Sequence, residues 1–73
     1  MYIVIELQTN ANGTVGNLVY SYADRNTAEQ KYHLILSSAA VSQLPSHAAA
    51  LMTSDGQLLE RKCYHHIQEL EEE

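Results

Sequence analysis

The sequence predicts a small α+β domain in the order ββ-α-ββ, with two antiparallel hairpins and one helix packed on the sheet. Asn12-Gly13 separates two runs of alternating apolar residues, and Asp55-Gly56 separates two more. These dipeptides are the strongest short hairpin signals, because they accommodate the positive φ angles of tight turns. Between the hairpins, residues 27–43 contain no glycine or proline and carry apolar residues at helical spacing, which predicts a helix.

The first hairpin is predicted to comprise strands at residues 2–9 and 14–22. Alternation divides the first strand into one face with Ile3, Ile5 and Leu7 and another with Tyr2, Val4, Glu6 and Gln8. Because one helix covers only one face of a sheet, we expect Tyr2 and Val4 to lie on the uncovered face. Gly16 within the second strand indicates a bulge or a close backbone approach.

The helix can be capped by Asp24 or Asn26, and Leu44-Pro45 ends it. Leu34 and Val41 project from nearly the opposite side to the stripe that should lie on the sheet, which indicates a second partner. That stripe comprises Ala28, Tyr32, Ile35, Leu36 and Ala39.

The second hairpin is predicted at residues 48–53 and 58–65, after a loop that contains His47. Residues 1–66 then form a single domain. Residues 67–73 form an acidic tail, for which we expect a solvated terminus.

Composition excludes several classes of function. With 73 residues and a net charge of −5, the chain lacks the cationic surface that a duplex nucleic-acid binder needs. Its single cysteine cannot form an internal disulfide. No apolar run approaches the roughly 20 residues that span a bilayer, and the start lacks the basic region of a signal peptide. We therefore expect a soluble cytoplasmic protein with no membrane partner.

Residues that could carry catalysis are sparse. Cys63 is predicted to be a buried, inert thiol in a strand, no serine elbow motif is present, and Glu6 and Glu60 stand alone in their strands. His65 and His66 should point to opposite faces of a continuing strand. We expect neither an enzyme nor a metal site nor a cofactor.

A set of cationic and aromatic residues could bind a flat, anionic small molecule. Tyrosine and histidine offer stacking planes, and lysine and arginine neutralise phosphate. The alternative is that these cations only decorate the surface and offset the excess of acid. The candidate ligand-binding residues are Lys31, Tyr32, His33, His47 and Arg61.

The size of the chain predicts self-association. A domain this small, with no disulfide or metal, usually needs oligomerisation for stability. The candidate interface residues are Leu34 and Val41 on the helix, and Tyr2 and Val4 on the first strand.

The chain also resembles a group of small uncharacterised proteins encoded by phages and prophages of Gram-positive, often gut-dwelling, bacteria. The resemblance covers nearly the whole chain and rests on the opening Met1-Tyr2-Ile3-Val4-Ile5-Glu6, on Lys31-Tyr32-His33, on Pro45-x-His47 and on Leu51-Met52-Thr53-x-Asp55-Gly56. It supplies a setting and no catalytic residues, and it implies binding without turnover.

Three functions fit that setting. The first is a homo-oligomeric sponge that sequesters a small nucleotide-derived immune signal. The second is an inhibitor that binds a host protein directly, in the manner of an anti-CRISPR protein. The third is a minor structural or accessory component of the phage.

Overall fold

Four strands and one helix follow the predicted order: β1 (Tyr2–Thr9), β2 (Val15–Tyr22), α1 (Arg25–Ala40), β3 (Ser46–Thr53) and β4 (Leu58–His65). The structure, a computed structural model, describes residues 1–66. The strands form one sheet in the order β2-β1-β3-β4, and every neighbouring pair is antiparallel. The α+β class and the ββ-α-ββ order are therefore confirmed. The predicted acidic tail, residues 67–73, lies outside the described residues.

Both predicted hairpin turns are present and depend on glycine. Gly13 has a φ of 90° and Gly56 a φ of 98°, values in the left-handed region that side chains rarely adopt. The amide of Gly13 donates to the Asn10 carbonyl at 3.0 Å, and the amide of Gly56 donates to the Thr53 carbonyl at 3.0 Å. In the second turn the Thr53 hydroxyl also donates to the Asp55 carboxylate. This hydrogen bond lowers the pKa of Asp55.

The irregularity predicted at Gly16 is not there. Gly16 pairs with Gln8 in an unbroken register, and a Cβ built on it would meet nothing within 4 Å. The expectation of a bulge or a close backbone approach is therefore wrong. The register shifts instead between β3 and β4, where Leu51 pairs with Glu60 and Met52 pairs with Leu58.

Helix α1 begins after Asp24, whose carboxylate accepts the amide of Thr27 at 3.0 Å. Of the two predicted caps, Asp24 is the one used. The helix ends at Ala40, three residues before the predicted end, and the amide of Val41 bonds to the Ser38 carbonyl at 3.2 Å. In the described part of the chain, no helix is long and apolar enough to cross a membrane.

The core lies between α1 and one face of the sheet. Val4 and Leu51 have no exposed surface, and burying each aliphatic side chain contributes about 1.5–3 kcal/mol. The buried helix residues follow the predicted stripe, with Leu36 partly buried at its margin. The cluster comprises Val4, Ala28, Tyr32, Ile35, Ala49 and Leu51.

This core corrects the predicted orientation of β1. Val4 is buried under α1 and Tyr2 packs against the same cluster, so neither lies on an uncovered face, and both are wrong as candidates for an exposed interface. The face with Ile3 and Ile5 points away from the helix instead. The polar side chain of Glu6 indicated that the face with Val4 is exposed to solvent. His47 on β3, however, contacts that carboxylate and allows it to be buried.

Candidate binding surfaces

Three of the predicted ligand-binding residues lie along α1 and have different surroundings. Lys31 is partly buried and holds its Nζ 4.2 Å from the centre of the Tyr20 ring. Tyr32 is in the core with 3% of its surface exposed, and burial, with a smaller contribution from Glu60, raises the pKa of its hydroxyl. His33 is exposed, and its ring meets the Tyr32 ring edge-on at 5.4 Å.

The other two predicted ligand-binding residues lie elsewhere. His47 belongs to strand β3 and is 5% exposed, so its predicted place in a loop is wrong. Arg61 pairs with Ala50, and Ala50 pairs with Ile5 on the face opposite the helix. One protomer therefore does not bring the five residues into a single site.

His47 forms a buried polar network with β1. Its Nε2 lies 2.6 Å from Oε2 of Glu6, and the Gln8 side-chain amide donates to the same oxygen at 2.9 Å. Glu6 is 9% exposed, and Nδ1 of His47 is buried with no hydrogen-bond partner in the structure. The network joins the two central strands under the helix. Placing Glu6 and His47 on the same face of neighbouring strands required knowing the β1–β3 register.

Aromatic and basic side chains also cluster where the chain leaves β4. The rings of Tyr64 and His66 stack with centres 6.3 Å apart and planes 8° apart, and Nζ of Lys62 lies 5.0 Å from the Tyr64 ring centre. His66 Nε2 lies 2.7 Å from the Ala39 carbonyl, to which it can donate. This contact helps to close the C-terminal end of α1, which indicates a structural role for the cluster.

The face of the sheet that points away from α1, here called the open face, is extensively apolar. Exposure is 59% for Val15, 58% for Val19, 49% for Leu58 and 38% for Leu7. The strand registers place ten apolar side chains on this face: Ile3, Ile5, Leu7, Val15, Val19, Ala48, Ala50, Met52, Leu58 and Cys63. The polar side chains among them are Thr9, Asn17, Ser21, Ser46, Arg61 and His65.

Among residues 1–66 the open face carries no carboxylate, although the full chain has more than twice as many acidic as basic residues. The acidic residues in the described range lie on the helix side of the sheet, on or beside the helix, or in the second turn: Glu6, Asp24, Glu29, Asp55 and Glu60. Arg61 is thus the one permanently charged side chain on this face of the described residues. The face is therefore suited to contacts that exclude water.

The helix has a smaller apolar surface of its own. Leu34 is 58% exposed and Val41 is 80% exposed. The sequence predicted that both project from the side of the helix opposite the sheet. Their role as an interface remains a prediction.

The described residues contain no group of three or more His, Cys, Asp or Glu residues placed to hold a metal ion. No model of a known protein family, no curated protein and no solved structure matches the chain.

Proposed function

We propose that this chain is a non-enzymatic protein-binding module and that the open face is its binding surface. The observation that carries the proposal is the composition of that face, where four strands present apolar side chains without a carboxylate. Large contiguous apolar patches on soluble domains mark sites of interaction with other molecules. Arg61, on the edge strand β4, adds a charged residue type that is enriched at protein interfaces.

The arrangement of the reactive residues supports binding without turnover. Cys63 pairs with Ala48, which places its thiol on the open face, whereas the imidazole of His47 lies on the helix side of the sheet. A thiol and a base on opposite faces cannot form the hydrogen-bonded pair that activates a cysteine nucleophile. His65 shares the open face with Cys63, but its Nδ1 lies 3.0 Å from the Ser46 hydroxyl.

The phage setting implied by the sequence resemblance gives this module a role. A small protein of this kind would act by occupying a surface of another protein, and an apolar face supplies most of the free energy for such contacts. The partner surface would be apolar at its centre.

Site-specific photo-crosslinking tests this proposal. A photoreactive phenylalanine analogue replaces Val19 on the open face in one variant, and Leu34 on the helix in the matched control. Both residues are 58% exposed, so solvent access is equal. We expect a discrete protein adduct from position 19, lost when I5K is added, and none from position 34. Adducts from position 34 alone would contradict the proposal.

A nucleotide-sequestering sponge is the second candidate, and one contact favours it. Lys31 holds its ammonium group over the Tyr20 ring, so a cation and an aromatic plane adjoin on the helix side. Because Arg61 lies across the sheet from Lys31, a site using both residues would take Arg61 from another copy. Such a site would be shared within a homo-oligomer.

Calorimetry distinguishes the sponge from the protein-binding module. The titrants are cyclic nucleotides and cyclic ADP-ribose isomers, and the variants are K31A and R61A. Saturable heat that both variants abolish would support a shared site. The absence of heat at high ligand concentration would exclude the sponge for these ligands.

A further inference from the structure

We infer that the partner of the open face is a second copy of this chain, bound face to face about a two-fold axis parallel to the strands. This inference rests on the proposed function, because it takes the open face as the binding surface. The resulting dimer has two sheets in the middle and one helix on each outer side.

The distribution of side-chain size on the open face makes it self-complementary. Of the two central strands, β1 is bulky on this face, with Ile3, Ile5 and Leu7, whereas β3 is shallow, with Ala48 and Ala50. A two-fold axis between β1 and β3, parallel to the strands, places β1 of each copy on β3 of the other. Alternation of large and small residues across facing layers is what allows sheets to interdigitate.

The register specifies which residues face one another. One row across the open face reads Val19, Ile5, Ala50 and Arg61, and the axis reverses this order in the second copy. Ile5 then lies over Ala50 of the second copy, and Val19 lies over its Arg61. Packed sheets cross at about 30°, so the facing is closest in the central rows.

The alternative axis, perpendicular to the strands, fits less well. It would place β3 on β3 and β4 on β4, so that Ala48 and Ala50 met the same alanines and left a gap. It would also bring the two Arg61 side chains together along one edge. The axis parallel to the strands places them at opposite edges, where each guanidinium can reach solvent.

The size of the face is sufficient for a dimer. Strands of 8 residues rise about 3.3 Å per residue and lie about 4.8 Å apart. Four of them present roughly 500 Å² of projected area, or roughly 1,000 Å² for two copies, which reaches the threshold for a biological interface. Because side chains project from the sheet, the accessible area that they bury is larger than this projected area.

Charge substitution at position 19 tests the inference, because Val19 and Arg61 lie on the two edge strands of one protomer, separated by β1 and β3. They interact only across the proposed interface. In sedimentation at tens of micromolar, we expect the unmodified chain to be a dimer. V19K places a lysine against Arg61 of the second copy and should weaken the dimer roughly tenfold or more.

Two further variants separate this arrangement from general disruption of the face. V19E places a carboxylate against Arg61 and should keep the dimer, with dissociation that increases with salt. R61E should restore dimerisation in the V19K background. L34K, on the helix at equal exposure, is the control and should remain a dimer, and circular dichroism verifies that each variant folds.

The outcomes distinguish this inference from the proposed function. A folded monomer in the unmodified chain, together with a position-19 adduct to a different protein, would overturn the dimer and keep the binding module. A monomer with no position-19 adduct would overturn both. Dissociation by L34K and not by V19K would place self-association on the helix and contradict the inference.

Discussion

At the scale of single residues, the least expected feature is the buried pair of Glu6 and His47. Its atoms lie 2.6 Å apart, and the two side chains are 12% and 6% exposed. Removing two polar groups from water carries a penalty, which their mutual attraction and the hydrogen bond from Gln8 offset. The pair contributes to specificity in the β1–β3 register, because a shift by one residue would leave both groups unpartnered.

Breaking this pair should cost more than replacing it. E6L or H47L leaves one buried polar group without its partner, and each should reduce the free energy of unfolding by about 3–5 kcal/mol. The E6L/H47L double variant should lose less than either single variant. Urea unfolding measures the difference, and H33L, at an exposed histidine, is the control, with a change within about 0.5 kcal/mol. A loss in the double variant equal to the sum of the two single losses would contradict the coupling between Glu6 and His47.

Tyr32 predicts a loss of stability at alkaline pH. Burial raises the pKa of its hydroxyl above the ordinary value of 10.0, so the folded state holds this proton more tightly than the unfolded state. The resulting stabilisation is complete below pH 10 and decreases as pH rises through the raised pKa. In Y32F the fall in stability above pH 10 should be shallower, as measured by urea unfolding across that range. An unchanged slope would contradict the assignment.

At the scale of elements, the two hairpins differ from the helix in what determines them. Each hairpin depends on a glycine at positive φ in its turn, whereas α1 depends on its apolar stripe and the Asp24 cap. Glycine within a strand has no such role, as the open surroundings of Gly16 show.

Substitution of two glycines in the first hairpin distinguishes the effect of a glycine in the turn from that of a glycine in the strand. G13A forces a side chain into the left-handed region and should reduce the free energy of unfolding by about 1–2 kcal/mol. G16A meets no steric obstacle and should be neutral, or stabilising by up to about 1 kcal/mol, because it reduces the freedom of the unfolded chain. Urea unfolding measures both, and equal losses would contradict the argument.

At the scale of the whole molecule, the helix covers only one face of the sheet. The core under α1 includes Val4 and Leu51, which have no exposed surface, while the open face leaves Val15 and Val19 more than half exposed. A domain of this size supplies only about 3–5 kcal/mol from a single core. Covering the open face would add a second apolar layer.

Dimerisation through that face predicts stability that depends on concentration. If folding is coupled to association, Tm should rise over a roughly hundredfold increase in protein concentration, because mass action favours the associated state. V19K should be less stable at high concentration and should show a Tm that no longer varies. Thermal unfolding followed by circular dichroism measures both. A concentration-independent Tm in the unmodified chain would contradict the prediction.

The sequence by itself determined the element order, both turns and the helix face. Those features depend on local signals: Asn12-Gly13 and Asp55-Gly56 set the turns, and apolar spacing set the stripe that contains Ala28 and Ile35. Such signals act over a few residues, so they can be recognised without knowledge of the rest of the chain. Exposure of Leu34 and Val41 followed from the same helical periodicity.

Only the tertiary structure decided which face of β1 meets the helix. That strand is apolar on both faces, so alternation could not determine whether the face with Val4 or the face with Ile5 is buried. The carboxylate of Glu6 indicated, wrongly, that the face with Val4 is exposed. The choice depended on His47, which lies 41 residues away in the chain and reaches Glu6 only through the β1–β3 register. The same register separates Arg61 from Lys31 and assembles the open face, because pairing between distant strands is a property of the whole sheet.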